Sequence, residues 1–496
     1  MQTILKKPRP IVIITTLVLL NLLMKGFYLS SNSLAGDEPF SVYHAQMDVL
    51  SIIHLLSEGN NPPLYEIFLH FWIHLFGISE FAVRLPSLIF SSITLIYIYK
   101  IGRDFLNSRI ALYSSLIFIF SNYHILFAHE ARVYSLLGLL TTMSMYVFMG
   151  LLKHCCNRKI TLPHAKNELR LKILALIIVN TLLIYAHYFG FFVLFLQFLF
   201  FISNRHRITT YWRGLLLVTS ALILTYIPNI PTFLNRFFQS SQEGTWVEPP
   251  DGIESIYNLL CQICNAPVVT VCVISILIFS FVKYIITKKR NGQNRPFFQL
   301  VFLWSLFILF FMYVMSFSIP MFIDRYLMPS AVGFCLLLGI ALDYIFSTTK
   351  YIYLIPIVNI ILLMATVKPN ITNKRSVYEM VKYIKEIKDT NTLLIICPTD
   401  FLLNFCYYYN QDVFKEYNTE SIYLNIQKSL ESNNIKGVYH IDELEHSGWN
   451  NIIYLDAAAN FQYPNNNIID RLDGNYHLEN KSHFKDIFNV YEYSKD

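Results

Sequence analysis

The sequence predicts a polytopic, all-α membrane protein that ends in a small soluble α/β domain. Two observations carry this expectation. Of the 496 residues, 54% are hydrophobic and only 15% are charged, against roughly 25% charged in a soluble domain, and the apolar residues fall in uninterrupted runs long enough to cross a bilayer. After residue 367 those runs stop, and the remaining chain returns to an ordinary polar composition. The net charge of +6 does not point to nucleic acid, because its meaning depends on which side of a membrane each charge occupies.

Taken in order, the apolar runs lie at about 11–29, 85–101, 110–128, 133–152, 171–187, 188–203, 214–231, 266–287, 298–317, 326–347 and 351–367, so about eleven spans are expected. The first follows Lys6-Lys7-Pro8-Arg9-Pro10 and lacks a small-residue cleavage site directly after it, which reads as an uncleaved first span. Only the polar hinge Ala186, His187, Tyr188 and Gly190 separates the fifth run from the sixth. With the N-terminus placed inside, the inner connections hold 21 Lys and Arg. The outer ones hold Arg84, Arg132, Arg236 and Arg325, with Lys25 near the end of the first span. This is a strong positive-inside pattern. Acids run the opposite way, twelve outside against Asp104 and Glu168 inside.

An odd number of spans puts the tail outside. Two domains are therefore expected, a membrane region over 1–367 with 26 basic and 15 acidic residues, and a tail over 368–496 with 13 basic and 18 acidic. In the tail, Thr392–Cys397 reads as a buried strand followed by a helix from about Asp400, Asn451–Leu455 reads as a second strand, and 476–493 could close a hairpin. No phosphate-cradling glycine loop occurs there, so a structural or acceptor-recognition role is the default. The eight cysteines form no framework. Cys261-Gln-Ile-Cys264 is a lone C-x-x-C with no second pair or nearby histidines, which argues against zinc and leaves a disulfide open.

The loop after the first span is the richest in chemistry. It carries Asp37-Glu38, His44 and Asn60-Asn61-Pro62-Pro63, and apolar residues recur at helical spacing around His54 and from Tyr65 to Leu75, as in amphipathic helices lying at a membrane interface. The Pro-Pro pair would stop the first such helix and open the second. Further polar groups stand at outer span ends: Arg84, Glu130 and Arg132, His187 and Tyr188, and Asp324-Arg325-Tyr326. Ionisable residues at that depth are costly and so are candidate functional groups, although an isolated arginine there can simply snorkel to lipid headgroups. Guanidinium forks suit a phosphate, and carboxylates suit a base.

At these residues the sequence resembles a known family. Asp37-Glu38, Pro62-Pro63-Leu64-Tyr65, the 81–87 segment with Arg84-Leu85-Pro86-Ser87, His129-Glu130-Ala131-Arg132-Val133-Tyr134, Tyr185-Ala186-His187-Tyr188-Phe189-Gly190 and Asp324-Arg325-Tyr326 are similar to bacterial members of glycosyltransferase family 39. These are GT-C-type enzymes related to protein O-mannosyltransferases and to the aminoarabinose transferases of lipid A. The resemblance implies transfer of a sugar from a polyprenyl-phosphate donor to a lipid, glycan or protein acceptor, usually with inversion. It further implies a multi-pass protein of the bacterial cytoplasmic membrane, with the site on the outer face and membrane lipids as its surroundings.

By the same resemblance Asp37 is the catalytic base or acceptor-orienting group, with Glu38 beside it. Arg84, Glu130, Arg132, His187, Tyr188 and Arg325 are donor-phosphate or site-ordering groups, and His44 and Asn61 are first-loop substrate contacts. In the lipid A branch a glutamate before the prolines helps hold a divalent metal. This chain has Asn60-Asn61 there, which counts against a metal, and no other cofactor is implied. Two rivals remain: a flippase or transporter of lipid-linked sugars, which would be expected to show internal repeats and midplane polar sites, and an outer-face glycan ligase or polymerase, which would be expected to rely on a long late loop.

Overall fold

The structure, a computed structural model, describes residues 9–57, 61–156, 163–204, 212–242, 247–287, 295–346, 354–371, 375–415, 422–443, 448–485 and 487–495. Of the charges and motif residues weighed above, Lys6, Lys7, Glu58, Asn60, Arg158, Lys159, Arg205, Arg207, Glu243, Lys288, Lys289, Arg290 and Lys350 lie outside the described residues. The chain divides into two compact units. One comprises Met1–Tyr28, His54–Tyr65 and Arg84–Ile371, and the other Leu29–Ile53, Glu66–Val83 and Thr372–Asp496.

The first unit is helical. Seven described helices are long and apolar enough to cross a membrane: Glu80–Leu106, Tyr134–His154, Asn167–Ala186, Leu216–Gln242, Pro267–Ile286, Arg295–Met315 and Asp324–Ile345. An eighth counts if Ser108–Phe120 and Asn122–Ala128, bent by 63°, form one span. The remaining expected spans are shorter helices: α1 (Pro10–Gly26) has 17 residues, Gly190–Ser203 has 14 and Leu354–Thr366 has 13. Among the described residues each of the eleven runs contains a helix, but seven or eight meet the length of a span rather than eleven. Hydropathy marks where a chain is apolar, whereas helix length depends on where backbone hydrogen bonding breaks, as it does at the His187 turn before Gly190.

The break at Ser121 shows how such an interruption is tolerated. Ser121 takes an extended conformation, which frees backbone groups that cannot stay bare in an apolar medium. The Asn265 side chain supplies both partners: Nδ2 donates to the Phe120 carbonyl at 2.7 Å, and Oδ1 accepts from the Asn122 N–H at 2.7 Å. Ser121 itself donates to the Ile263 carbonyl at 2.8 Å. The bend ends the second half at His129 and so presents the Glu130–Arg132 turn.

The Asp324–Ile345 span packs closely on Ser108–Phe120. Gly339 allows this approach, since a Cβ there would lie 2.2 Å from Ser114 Oγ, the small-residue contact favoured between membrane helices. At the same end Asp343 accepts from Asn107 Nδ2 at 2.8 Å and from Arg109 Nε at 2.5 Å, while Asn107 Oδ1 caps the helix by accepting from the Arg109 and Ile110 N–H groups.

The second unit joins first-loop segments to the tail. Helix α2 (Glu38–His44) follows the Gly36-Asp37 turn, α3 (Val49–Ser57) is capped by Asp48, and α4 (Leu64–Phe76) begins directly after Pro62-Pro63, at the expected place. Pro39 at the start of α2 fits a first turn whose N–H groups have no intrahelical acceptor. In the tail, β1 (Thr392–Cys397), β2 (Ile435–Gly437), β3 (Asn451–Ala457), β4 (His477–Phe484) and β5 (Phe488–Ser494) form a sheet of order β2-β1-β3-β5-β4. Strand β1 runs parallel to β2 and β3, and β5 runs antiparallel to β3 and β4. Strand β1 is buried along its whole length, as a central parallel strand should be. The expected strands and hairpin are all present. Strand β2 is three residues long and has no alternation to read.

Candidate active site

Asp37 and Glu38 are adjacent but differently placed. Asp37 stands at the N-cap of α2 and is exposed. Glu38 is only 2% exposed, and its Oε2 accepts from the Ala35 N–H at 3.2 Å, closing the turn before the helix. One helical turn beyond Asp37, on the same face, Ser41 donates to Oε1 of Glu66 at 3.0 Å. Glu66, in the first turn of α4, is 3% exposed. His44 is fully buried, edge-on to Phe40 at 3.8 Å between centroids. The first-loop candidates Asp37, Glu38 and His44 thus share one short helix, and a third buried acid, Glu66, is pinned to it. Asn61 is half-buried before Pro62 and forms no hydrogen bond with the described residues.

Within the helical unit a second cluster gathers at helix ends. Arg84 is buried near His129, and Ser87 donates to the Glu130 carbonyl at 2.5 Å, which ties the Arg84–Ser87 segment to the Glu130–Arg132 turn. His129 also meets the Lys25 carbonyl through Nε2 at 2.6 Å. Tyr123 donates to the Asp324 carbonyl at 2.7 Å, and Asp324 Oδ1 accepts from the Arg325 N–H at 2.6 Å. The Arg325 guanidinium lies over the Tyr134 ring at 5.9 Å. The His187 ring sits 5.4 Å from Tyr326 and 6.4 Å from Tyr134.

Burial, then the nearby Arg132 charge, lowers His187 to about 3, so it is neutral. Its Nδ1 accepts from the Phe189 N–H at 3.2 Å, which leaves the proton on Nε2. That atom has no hydrogen-bond partner among the described residues. Burial also lowers His129, against the opposing hydrogen bonds to the Lys25 and Ile371 carbonyls and with the Arg84 charge adding to the shift. Tyr188, next in sequence to His187, instead packs on Phe233 at 5.6 Å.

A cavity of about 490 Å³ opens among the helices Tyr134–Cys156, Pro163–Ala186, Gly190–Ser203 and Trp212–Tyr226, lined by residues such as Phe148, Leu176, Phe195 and Leu222. Two of its polar lining residues, Asn180 and Gln197, close a ring with Ser144 through bonds of 2.5, 3.1 and 2.6 Å. Apart from these two and from Thr219 and Tyr226, the wall is apolar.

Sequence reasoning missed several residues. Glu66 is preceded by a motif, but its link to Ser41 needs the fold of two helices. Lys25, counted above with the outer cations, is fully buried, donating to Ser91 at 3.0 Å with its ammonium 4.0 Å from the Phe118 ring centre. Cys261 and Cys264 are both free thiols. Among the described residues no group of three or more His, Cys, Asp or Glu side chains is arranged to hold a metal ion.

Residues 60–230 match the family model for dolichyl-phosphate-mannose-protein mannosyltransferase. No curated protein matches the chain by sequence. Among solved structures, ArnT from Cupriavidus metallidurans bound to undecaprenyl phosphate superposes with a TM-score of 0.59 at 12% identity, covering 98% of this chain and 98% of that one. The Archaeoglobus fulgidus oligosaccharyltransferase gives 0.55 at 9% identity, covering 91% of this chain and 70% of that one. With seven or eight helices long and apolar enough to cross a membrane, this chain is a multi-span membrane protein, and its fold is the GT-C glycosyltransferase fold of ArnT.

Proposed function

We propose that the chain transfers a sugar from a polyprenyl-phosphate donor to an acceptor hydroxyl on the outer face of a bacterial cytoplasmic membrane, with inversion. The observation that carries this reading is the ArnT-like fold along 98% of the chain, combined with an exposed carboxylate, Asp37, at the N-terminal end of α2. Asp37 takes the acceptor proton as the acceptor oxygen attacks the anomeric carbon. The bond from that carbon to the phosphate oxygen breaks, and the polyprenyl phosphate leaves with the electron pair. Glu38 is occupied in the turn and buried, so its part is to shape the site rather than accept the proton. Arg84, Arg132 and Arg325, with the Nε2 proton of His187, provide donors suited to the charge that grows on the phosphate. The apolar cavity suits an isoprenoid chain, which lets the donor stay in the membrane without a nucleotide.

Asp37→Asn in purified, reconstituted protein is expected to lower transfer by about 10² to 10⁴, the usual contribution of a general base. Transfer at the wild-type rate would remove Asp37 from the mechanism. Conversion of a polyprenyl-phosphate monosaccharide to free polyprenyl phosphate distinguishes a transferase from a flippase, which moves the donor intact.

A further inference from the structure

Residues 33–36 form the turn that leads into Asp37, and groups from the tail reach it at each position but one. The Tyr378 N–H donates to Ser33 Oγ at 3.0 Å, the Leu34 N–H donates to the Tyr408 hydroxyl at 2.6 Å, and Asn404 Nδ2 donates to the Gly36 carbonyl at 3.3 Å. Gly36 has φ +61°, and a Cβ on it would lie 2.5 Å from Nη1 of Arg375. The missing side chain lets a guanidinium come close to the backbone one residue before Asp37. Tyr408 also donates to the Glu80 carboxylate, so its hydroxyl serves as acceptor and donor at once. Burial, then Glu80, hold this phenol well above its usual pKa, which keeps the donated proton in place. Beyond the turn, α2 itself leans on the tail: Tyr43 is edge-on to Phe414 at 5.5 Å, and Gln46 Nε2 donates to the Phe414 carbonyl at 3.2 Å.

We propose that the tail domain is a positioning platform for the first-loop carboxylate, with Tyr408, Asn404 and Arg375 as the residues that fix the turn in front of Asp37. This rests on the reading of Asp37 as base. A turn outside regular structure has few bonds of its own and opens easily, whereas a base must sit within about 3 Å of the proton it takes. A misplacement of about 1 Å costs roughly 100-fold in rate. The tail supplies the bonds that the turn lacks, which gives this domain a part in the reaction without touching substrate.

Hydrogen exchange on the full chain in detergent tests the platform directly. Tyr408→Phe removes the acceptor of the Leu34 N–H, and Leu34 is expected to exchange about tenfold faster, with the β1 and β3 amides unchanged. Arg375→Gln, which alters a half-buried side chain and keeps the core intact, is expected to loosen residues 36–38. In the same preparations, with undecaprenyl-phosphate mannose as the probe, release of undecaprenyl phosphate should show kcat lowered about tenfold and KM within about threefold, and Arg375→Lys should recover more activity than Arg375→Gln. Unchanged exchange at Leu34, or faster exchange with a normal kcat, overturns the proposal. If the wild-type chain releases nothing from the probe, the reading of Asp37 has failed for that donor. The exchange result then still decides whether the tail holds the turn.

Discussion

Asp37 and Glu38 illustrate how neighbouring residues of one chemistry meet different surroundings. Glu38 is buried and closed off by its bond to the Ala35 N–H, while Asp37, one residue earlier, is exposed at the head of the helix. His187 makes a testable case at the same scale. Its folded pKa is lowered to about 3, by burial first and Arg132 second, against about 6.5 in an unfolded chain. Above pH 6.5 both states are neutral and the residue contributes no pH dependence. Between about 6.5 and 3 the unfolded chain binds the extra proton, so stability falls as pH drops, by up to about 1.4 kcal/mol per unit. Thermal unfolding followed from pH 7.5 to pH 4.5 should show this loss, with a shallower slope in His187→Gln; equal slopes would mean that the imidazole is not held neutral.

At the level of elements, the broken helix at Ser121 depends on one side chain from elsewhere. Asn265 bonds both the Phe120 carbonyl and the Asn122 N–H, and it does so from a left-handed conformation with φ 74°. Asn265→Gly keeps that conformation accessible while removing both bonds together with a third, from Nδ2 to the Leu363 carbonyl at 3.1 Å, so it reads the contribution of the whole side chain. A loss of about 2 to 4 kcal/mol is expected, read as a lowered unfolding midpoint in detergent; an unchanged midpoint would show that other groups satisfy the break. The close approach at Gly339 predicts a second effect. Gly339→Val forces bulk against Ser114 and the adjacent backbone, and overpacking of this kind costs about 1 to 3 kcal/mol, whereas Gly252, with nothing within 4 Å of a Cβ, lies where added bulk meets no neighbour.

Across the whole molecule, the grouping of residues 29–53 and 66–83 with 372–496 predicts the outcome of truncation. A chain ending at residue 371 should retain its helices, yet its 29–53 segment should become sensitive to limited proteolysis, because the surfaces that Tyr43, Gln46 and Leu34 use on the tail are gone. Protection of that segment at the full-length level would contradict this. Much of the architecture could be read from the chain alone, for hydrophobic runs, charge asymmetry and the Pro62-Pro63 stop are local signals that need no partner. The tail's strands other than the three-residue β2, and the helices around His54 and from Tyr65, follow for the same reason: their pattern is written in consecutive residues. The candidate residues could be named from their unusual position at span ends, but not their relations. Contacts such as Glu66 with Ser41, Arg375 with Gly36, and burial of Lys25 against Ser91 and Phe118 join residues separated by 25 to more than 300 positions. No local pattern encodes such a distance, since it is fixed only when the chain packs to satisfy its buried polar groups.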